Sequence, residues 1–245
     1  MASEPVIAGR SDVGRVRQHN EDSIGFHAPS GVAVLADGMG GLYGGEVASR
    51  IAVDRILNFL RANPAIDEPT LIDAVRAANS DICSHASRDV DGPMGTTVVI
   101  WVGGEMGQCF VCHVGDSRAY RLRGSELLKL TDDHSVVQQM LSSGEISEAE
   151  ARVAPNRNVI TRAVGLSEAV EVDVRSCVHV PGDVFLLCSD GLTDMLDDAS
   201  MSEVLAEHLT PQGAGDLDAA AKSLVEAANV AGGVDNVSVV LIRTD

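Results

Sequence analysis

Short apolar runs separated by polar turns recur along this chain, and most of them have the length of a β-strand. Six of these runs are long enough to predict strands. Gly103-Gly104 and Arg123-Gly124 stand between consecutive runs and are typical of the hairpin turns that join antiparallel neighbours. The predicted strands cover residues 32–36, 96–102, 109–114, 119–122, 184–188 and 237–242.

Three other stretches repeat their apolar residues with the period of an amphipathic helix. The second stretch begins at Pro69, and Gly232-Gly233 stops the third. The first two helices are consecutive, and short turns join the strands after them. This order predicts an α+β fold in which helices lie over antiparallel sheet. The helical stripes consist of Val53, Ile56, Leu57 and Leu60, then Leu71, Val75, Ala78 and Ile82, and then Leu217, Ala221, Leu224 and Ala228.

Residues 134–158 are polar and irregular, with a short helical stretch at 136–141. Loops of this length are usually functional or mobile, so we interpret the segment as an excursion from the core. No linker composition or internal repeat divides the chain, which predicts a single domain over residues 1–245.

The composition excludes some partners. Acids outnumber bases by 36 to 18, which gives a net charge of −18. A surface of this charge repels nucleic acid and anionic lipid, so neither is an expected partner. The chain is 45% hydrophobic but only 3% aromatic, which predicts an aliphatic core. A phosphate-handling enzyme this acidic needs local cations, either arginine or metal.

The five cysteines and residues 1–14 indicate the cellular compartment in which the protein is expected. An odd count of five cysteines at irregular spacing favours reduced thiols in a cytosol. Cys109 and Cys112 form a C-x-x-C, but on a strand they face opposite sides, which argues against a metal or redox role. Residues 1–14 lack a signal-peptide pattern, and the most apolar stretch, 96–102, is too short to span a bilayer. A cytoplasmic protein is expected.

Four aspartates adjoin predicted strands. Asp37, Asp116 and Asp190 each close a strand, and Asp235 immediately precedes one. If these strands are neighbours, the four carboxylates meet at one sheet edge. Taken singly, Asp37-Gly38 and Asp190-Gly191 are ordinary turn sequences, and Asp91-Gly92 is interpreted as a plain turn.

Together, the four aspartates favour a metal site. Two carboxylates about 4 Å apart repel by about 4 kcal/mol at an effective dielectric near 20, so such a cluster needs a cation. Oxygen ligands without histidine or cysteine favour Mg²⁺, Mn²⁺ or Ca²⁺ over Zn²⁺. The alternative, that the strands are apart and each aspartate is solvated, stays open on this evidence.

The segment 15–22 supplies a second charged group, with Arg15 and Arg17 just before Glu21 and Asp22. A guanidinium matches phosphate oxygens bidentately. The two acids are suited to accept hydrogen bonds from metal-bound waters. For this segment taken alone, a solvated charged turn is the better interpretation.

Six short motifs occur in one order along the chain. Together they resemble the type 2C metal-dependent protein phosphatases, in particular the compact bacterial form. The resemblance extends from about residue 8 to residue 242. The motifs are SDVGRVRQHNED at 11–22, ADGMGG at 36–41, GTT at 95–97, VGDSR at 114–118, SDGL at 189–192 and VDN at 234–236.

The resemblance implies a fold and a set of site residues. The fold is a four-layer α-β-β-α sandwich of two stacked antiparallel sheets flanked by helices. The cofactors are two Mn²⁺ or Mg²⁺ ions, with a possible third. The implied roles are Asp37 bridging the two metals, the Gly38 carbonyl on the second, Asp190 and Asp235 on the first, Asp116 with Asp190 on the third, Arg17 on the substrate phosphate, and Glu21, Asp22 and Asn236 around the ligands.

The implied activity is hydrolysis of phosphoserine and phosphothreonine in proteins by a water that bridges the two metals. Position and charge stabilise the transition state, and no residue becomes phosphorylated. The resemblance also implies that the excursion at 134–158 is a flap beside the site. The expected partners are phosphoproteins, including a Ser/Thr kinase and its targets, and the chain is expected to be a monomer.

One position departs from the family pattern. Some bacterial members have histidine directly after the DGMGG run, where this chain has Leu42, so no general acid is assigned there. His19 is a weak substitute. His113 should face away from Asp116 on a regular strand and is interpreted as a packed histidine.

Three rival functions are less compatible with the sequence. A haloacid-dehalogenase-type phosphatase would use an aspartate nucleophile with a second aspartate two residues on, where this chain has Met39. A pseudo-phosphatase would lack ligands, yet all the ligand positions are present. A different two-metal hydrolase such as a nuclease is disfavoured by the net charge of −18.

Overall fold

Two antiparallel β-sheets lie face to face at the centre of the protein, and helices cover both outer faces. The computed structural model describes residues 4–40, 44–63, 65–86, 93–104, 107–152 and 154–244. The strands are β1 (Val6–Asp12), β2 (Asp22–His27), β3 (Val32–Gly40), β4 (Met94–Thr96), β5 (Val98–Gly103), β6 (Gln108–Val114), β7 (Arg118–Arg123), β8 (Glu126–Lys129), β9 (Asp173–Val178), β10 (Val184–Cys188) and β11 (Val237–Arg243). The helices are α1 (Gly44–Ala62), α2 (Glu68–Ala86), α3 (Val136–Ser142), α4 (Glu148–Arg152), α5 (Asp190–Thr193), α6 (Asp198–His208) and α7 (Leu217–Val230), with a 3₁₀ turn at Ala28–Ser30.

All the strand pairings are antiparallel, as the short turns predict. One sheet has the order β1-β11-β10-β7-β8, and the other has β2-β3-β5-β6-β9 with β4 beside β3. The predicted hairpin at Arg123-Gly124 is confirmed, because Arg123 pairs with Glu126 across a tight turn in which Gly124 has a φ of 64°. In the first of these sheets, β11 lies between β1 and β10.

The core has three layers, and it is aliphatic as the composition predicts. Between the sheets, Trp101 and Phe185 pack with ring centroids 5.4 Å apart among small aliphatic side chains. The apolar stripes of α1 and α2 pack on the sheet of β3, and those of α6 and α7 pack on the sheet of β11. Two sheets with helices outside confirm the expected four-layer α-β-β-α sandwich.

The structure confirms most of the predicted elements and changes the bounds of some. All six predicted strands are present, although the run 96–102 is divided at Thr97 into β4 and β5. Cys109 lies in the layer between the sheets and Cys112 in the layer under the helices, which confirms that the C-x-x-C cysteines face opposite sides. The Asp91-Gly92 turn and the Leu42 position lie outside the described residues. No helix in the described part of the chain has the length and apolar content needed to cross a membrane.

Candidate metal centre

Carboxylates from both sheets converge at one end of the sandwich. The sheet of β3 supplies Asp22 and Asp37, and the sheet of β11 supplies Asp190 and Asp235 at the ends of β10 and β11. Asp116 lies in the link from β6 to β7, which joins one sheet to the other. The four predicted aspartates do come together, because each of the other three raises the pKa of Asp37. The expectation of a single sheet edge is wrong, however, since the cluster spans the junction of two sheets.

Asp37 is at the centre of this cluster, and two threonines fix its backbone. Thr97 Oγ1 accepts a hydrogen bond from the Asp37 N–H at 3.1 Å, while Thr96 Oγ1 donates to the Asp37 carbonyl at 2.8 Å. Across the β2–β3 ladder, Asp37 lies directly opposite Asp22. Burial, and then the charge of Asp22 and the neighbouring aspartates, raise the pKa of Asp37 well above its ordinary value. Such an arrangement favours a bound cation.

Gly38 follows Asp37 at a point where the backbone is closely packed. A Cβ at this position would lie 2.1 Å from the Gly45 carbonyl oxygen and 2.5 Å from the Glu21 carbonyl oxygen. Only glycine fits here, so the residue type is explained by packing alone. Its carbonyl remains a proposed ligand.

Asp190 and Asp116 show the same electrostatic signature. Burial and the charges of Asp116 and Asp235 raise the pKa of Asp190 well above its ordinary value. Burial, followed by the charge of Asp133, raises the pKa of Asp116 to about 6. Asp194, which was not among the predicted site residues, also raises the pKa of both groups. Its spacing of four residues from Asp190 was the available signal, because residues four apart share one face of a helix.

Asp22 provides a test of whether these residues fit metal ions. Its Oδ2 accepts a hydrogen bond from Ser189 Oγ at 2.8 Å, but its Oδ1 is buried and has no donor among the described residues. Burial is the main cause that raises the pKa of Asp22 to about 6. A buried carboxylate oxygen without a donor is rare and suits a water molecule held by a cation. The donor set therefore fits hard divalent cations with their waters.

Arg17 lies at this cluster, as predicted, but it is not isolated there. Its Nη2 donates a hydrogen bond to Asp235 Oδ2 at 2.7 Å, and the side chain of Arg17 is 51% exposed. The other carboxylate oxygen of Asp235 accepts the N–H of Asn236 at 2.8 Å. Asp235 is thus shared between the guanidinium and any cation that it binds.

Asn236 acts on the loop that carries Arg17. Its Oδ1 accepts the Glu21 N–H at 2.8 Å, and its Nδ2 donates to the carbonyls of Val13 and His19, both at 2.9 Å. The side chain is therefore used to hold residues 13–21 in place. Glu21 lies at the same rim, where burial is the largest cause that raises its pKa.

The predicted flap forms one wall of a cleft beside the carboxylates. The cleft has a volume of about 600 Å³, and both Asp116 and Asp190 line it. On the flap side it is lined by α3, α4 and Arg157, and on the other side by the start of α6. Ser135 caps α3 by accepting the Gln138 N–H at 3.1 Å.

His134 attaches the base of the flap to the backbone next to Asp116. Its backbone N–H donates to the Gly115 carbonyl at 2.9 Å, and its Nδ1 accepts the Gly115 N–H at 3.2 Å. The ring of His113 stacks on His134, with centroids 4.5 Å apart. His113 Nε2 bonds the Asp132 carbonyl at 2.8 Å, so the interpretation of His113 as a packed histidine is supported.

His113, His134 and Asp173 also have the spacing of a metal site, since one ligand atom from each lies within 4.8 Å of the others. Arg162 occupies that space instead. Its Nη1 lies 2.8 Å from Asp173 Oδ1 and 3.3 Å from His134 Nε2. A guanidinium in this position opposes a second cation, so the aspartate cluster is the better candidate.

Comparisons with known proteins agree with this geometry. The family model described as protein phosphatase 2C matches residues 9–227. The chain is 36% identical to the serine/threonine phosphatase stp of Listeria monocytogenes serovar 1/2a, over 96% of this chain and 94% of that protein. The crystal structure of the Mycobacterium tuberculosis serine/threonine phosphatase PstP matches with a TM-score of 0.90 and 36% identity, over 99% of this chain and 100% of that one. A PstP catalytic domain in complex with two manganese ions matches with a TM-score of 0.87 and 36% identity, over 99% of both chains. This chain belongs to the protein phosphatase 2C family.

Proposed function

We propose that this chain is a serine/threonine protein phosphatase that uses Mn²⁺ or Mg²⁺. The observation that carries the proposal is the convergence of Asp22, Asp37, Asp116, Asp190 and Asp235 beside Arg17, with the pKa of Asp37 and Asp190 strongly raised. The manganese-bound relative supports the choice of ion.

The division of roles follows the resemblance. Asp37, Asp190, Asp235 and the Gly38 carbonyl would hold two ions, and Asp116 with Asp190 would hold a third. When bound, the ions activate a water for attack on phosphorus and neutralise the phosphate charge. Asp22 and Glu21 accept hydrogen bonds from the surrounding waters, and Arg17 binds the phosphate oxygens.

The proposed substrates are phosphoproteins, among them a Ser/Thr kinase and its targets. The proposed location is a reducing cytoplasm. The five cysteines, none in a disulfide, are compatible with that compartment. The protein acts as a monomer. A phosphorylated segment binds along the cleft against the flap.

The direct test is hydrolysis of p-nitrophenyl phosphate and of phosphoserine, phosphothreonine and phosphotyrosine peptides. We expect activity with Mn²⁺ or Mg²⁺ but not Zn²⁺, loss in EDTA, and a preference for the first two peptides. The Asp37→Asn variant is the matched inactive control. Full activity in EDTA would end the metal proposal, and a trapped phosphoaspartate would favour the rival mechanism.

The kinase relationship needs a separate measurement. An autophosphorylated Ser/Thr kinase from the same cell should lose phosphate when wild-type protein and Mn²⁺ are added. Persistence of the phosphate under conditions that hydrolyse the peptides would reject the kinase as a substrate and leave the activity itself intact.

A further inference from the structure

Two cysteines that are 68 positions apart in the chain face each other across a strand pair. Cys109 on β6 is the direct partner of Cys177 on β9, and both contact the layer between the sheets. Facing residues of antiparallel strands have Cα atoms about 4.5–5.5 Å apart. Disulfides span Cα distances of about 4.4–6.8 Å, so this pair can be linked without moving the strands.

The surroundings of Cys177 favour its thiolate. Arg175 and Arg121 both lie on the inner faces of the sheets, near the sulfur. The Nε of Arg121 is buried and has no hydrogen-bond partner among the described residues. A hydrogen bond with Cys109 is the largest cause that lowers the pKa of Cys177 to about 7, and the two arginines add to it. The positive charge of the Arg121 guanidinium would stabilise a Cys177 thiolate.

The two thiols differ in access. Cys177 is half-buried, whereas Cys109 is fully buried. The hydrogen bond between the two thiols raises the pKa of Cys109. Cys112 and Cys188 are fully buried, and burial raises the pKa of each. Reactive cysteines are low-pKa and accessible, and often have a second cysteine that resolves them. Among these four, only Cys177 has both properties.

We propose that Cys177 and Cys109 form a reversible thiol pair that hydroperoxides oxidise to a disulfide between β6 and β9. The site lies at the opposite end of β6 from Asp116 and is independent of the carboxylate cluster.

The reaction has two steps. The Cys177 thiolate attacks one peroxide oxygen, so that an S–O bond forms as the O–O bond breaks, and the departing oxygen takes a proton and leaves as water or an alcohol. Cys109 then attacks the Cys177 sulfur and forms the S–S bond. The sulfenic hydroxide is expelled with the Cys109 proton as water. Two thiols are oxidised, one peroxide is reduced, and thiol reductants reverse the linkage.

The first experiment treats the reduced wild-type chain, freed of reductant, with hydrogen peroxide. Intact mass under non-reducing conditions should show the loss of two hydrogens, and peptide mapping should join the peptides of Cys109 and Cys177. Dithiothreitol should restore the original mass. A disulfide between other cysteines, or no disulfide while Cys83 is oxidised, would overturn the proposal.

Matched variants assign the two roles. Cys109→Ala should stop at a sulfenic acid on Cys177 that dimedone traps, and Cys177→Ser should give neither product. Cys112→Ala, a change of equal size on the same strand, should form the disulfide as the wild type does. Disulfide formation in Cys177→Ser would contradict the pairing.

A measurement on the wild type alone covers the case in which a variant misfolds. The rate of Cys177 alkylation by iodoacetamide, followed by peptide mass between pH 5 and 9, should reach half its maximum near pH 7. A midpoint at the value of a free cysteine, about 8.5, would reject the proposed thiolate.

Discussion

At the scale of single residues, Arg17 and Asp235 form an ion pair between two groups for which different roles are proposed. The resemblance assigns Arg17 to phosphate and Asp235 to metal, yet the two side chains form an ion pair at 2.7 Å. A carboxylate held by a guanidinium is a weaker ligand than a free one. On the proposed assignment of roles, cation binding at Asp235 and release of Arg17 toward phosphate are coupled.

Substitution of Arg17 should separate these two effects. Arg17→Ala should lower kcat/KM by about 10- to 150-fold, because charged hydrogen bonds contribute about 1.5–3 kcal/mol. The same variant should bind Mn²⁺ about two- to fivefold more tightly, since an exposed ion pair is worth at most about 1 kcal/mol. Steady-state kinetics and titration calorimetry measure the two quantities.

Two further variants control this prediction. Arg17→Lys should recover only part of the activity, because an ammonium lacks the planar fork. Arg15 is exposed, and its backbone bonds Gly233, so Arg15→Ala should change little. A silent Arg17→Ala beside a damaging Arg15→Ala would show that the register of the motif is wrong.

The charge of Asp37 should lower the free energy of unfolding of the metal-free protein. At pH 7, Asp37→Asn should raise the free energy of unfolding in EDTA by about 1–3 kcal/mol, because it removes like-charge repulsion. Asp183→Asn is the control, since that buried aspartate is paired with Arg123 at 2.7 Å, and its loss should lower stability. Urea titrations give both values, and a destabilising Asp37→Asn would contradict the electrostatic argument.

The gain from Asp37→Asn should depend on pH. The pKa of Asp22 and that of Asp116 are raised to about 6, against about 4 in the unfolded chain. Stability from such groups is present below the unfolded pKa and is lost as pH rises through the folded pKa. Wild type and variant should therefore converge in stability as pH falls from 7 to 5, and a constant difference would refute this.

At the scale of secondary-structure elements, the strands in the middle of a sheet were predictable from their apolar runs, whereas the strands at the edges were not. The strands that the sequence analysis missed are β1, β2, β8 and β9, which are the edge strands of the two sheets. An edge strand has fewer neighbours to cover it and carries charged residues, so it lacks a continuous apolar run. Central strands are buried on both faces here and are therefore apolar enough to recognise.

The same reasoning explains what was predictable in the site. Asp37, Asp116, Asp190 and Asp235 adjoin buried strands, so the strand predictions marked them as candidates, but they did not show which strands are neighbours or that two sheets contribute. The pairing of Asp22 with Asp37 depends on the register of β2, which was not predicted. The contact of His134 with Gly115 joins residues 19 positions apart through the base of the flap, and no local pattern indicates it.

His134 should position the link between β6 and Asp116. His134→Gln loses the acceptor for the Gly115 N–H, which should make exchange of that amide about tenfold faster. His134→Asn places an oxygen near the site of Nδ1 and should restore most of the protection. Hydrogen exchange of the peptide spanning 108–116, with Mn²⁺ dependence of activity as a second readout, tests this. Equal exchange in both variants would mean that the ring acts only by packing.

At the scale of the whole molecule, the carboxylate cluster lies at the junction of the two sheets. Ligands from β3 and from the ends of β10 and β11 would hold the same ions, so bound metal should oppose separation of the sheets. Mn²⁺ at about 100 times its Kd should stabilise the fold by about 2.7 kcal/mol, which raises the melting temperature by about 5–10 °C. Thermal melts with Mn²⁺ and then EDTA measure the shift, and a shift retained in Asp37→Asn would place the ions elsewhere.

The position of β11 has a consequence for synthesis of the protein. This strand lies between β1 and β10, although it is the last of the described strands along the chain. Until residue 243 has emerged, β1 has no neighbour in its sheet, and the chain also lacks Asp235 during most of translation. The sheet of β11 must therefore close after synthesis of its final strand, and nascent chains interrupted before that point should have no phosphatase activity and be substrates for proteolysis.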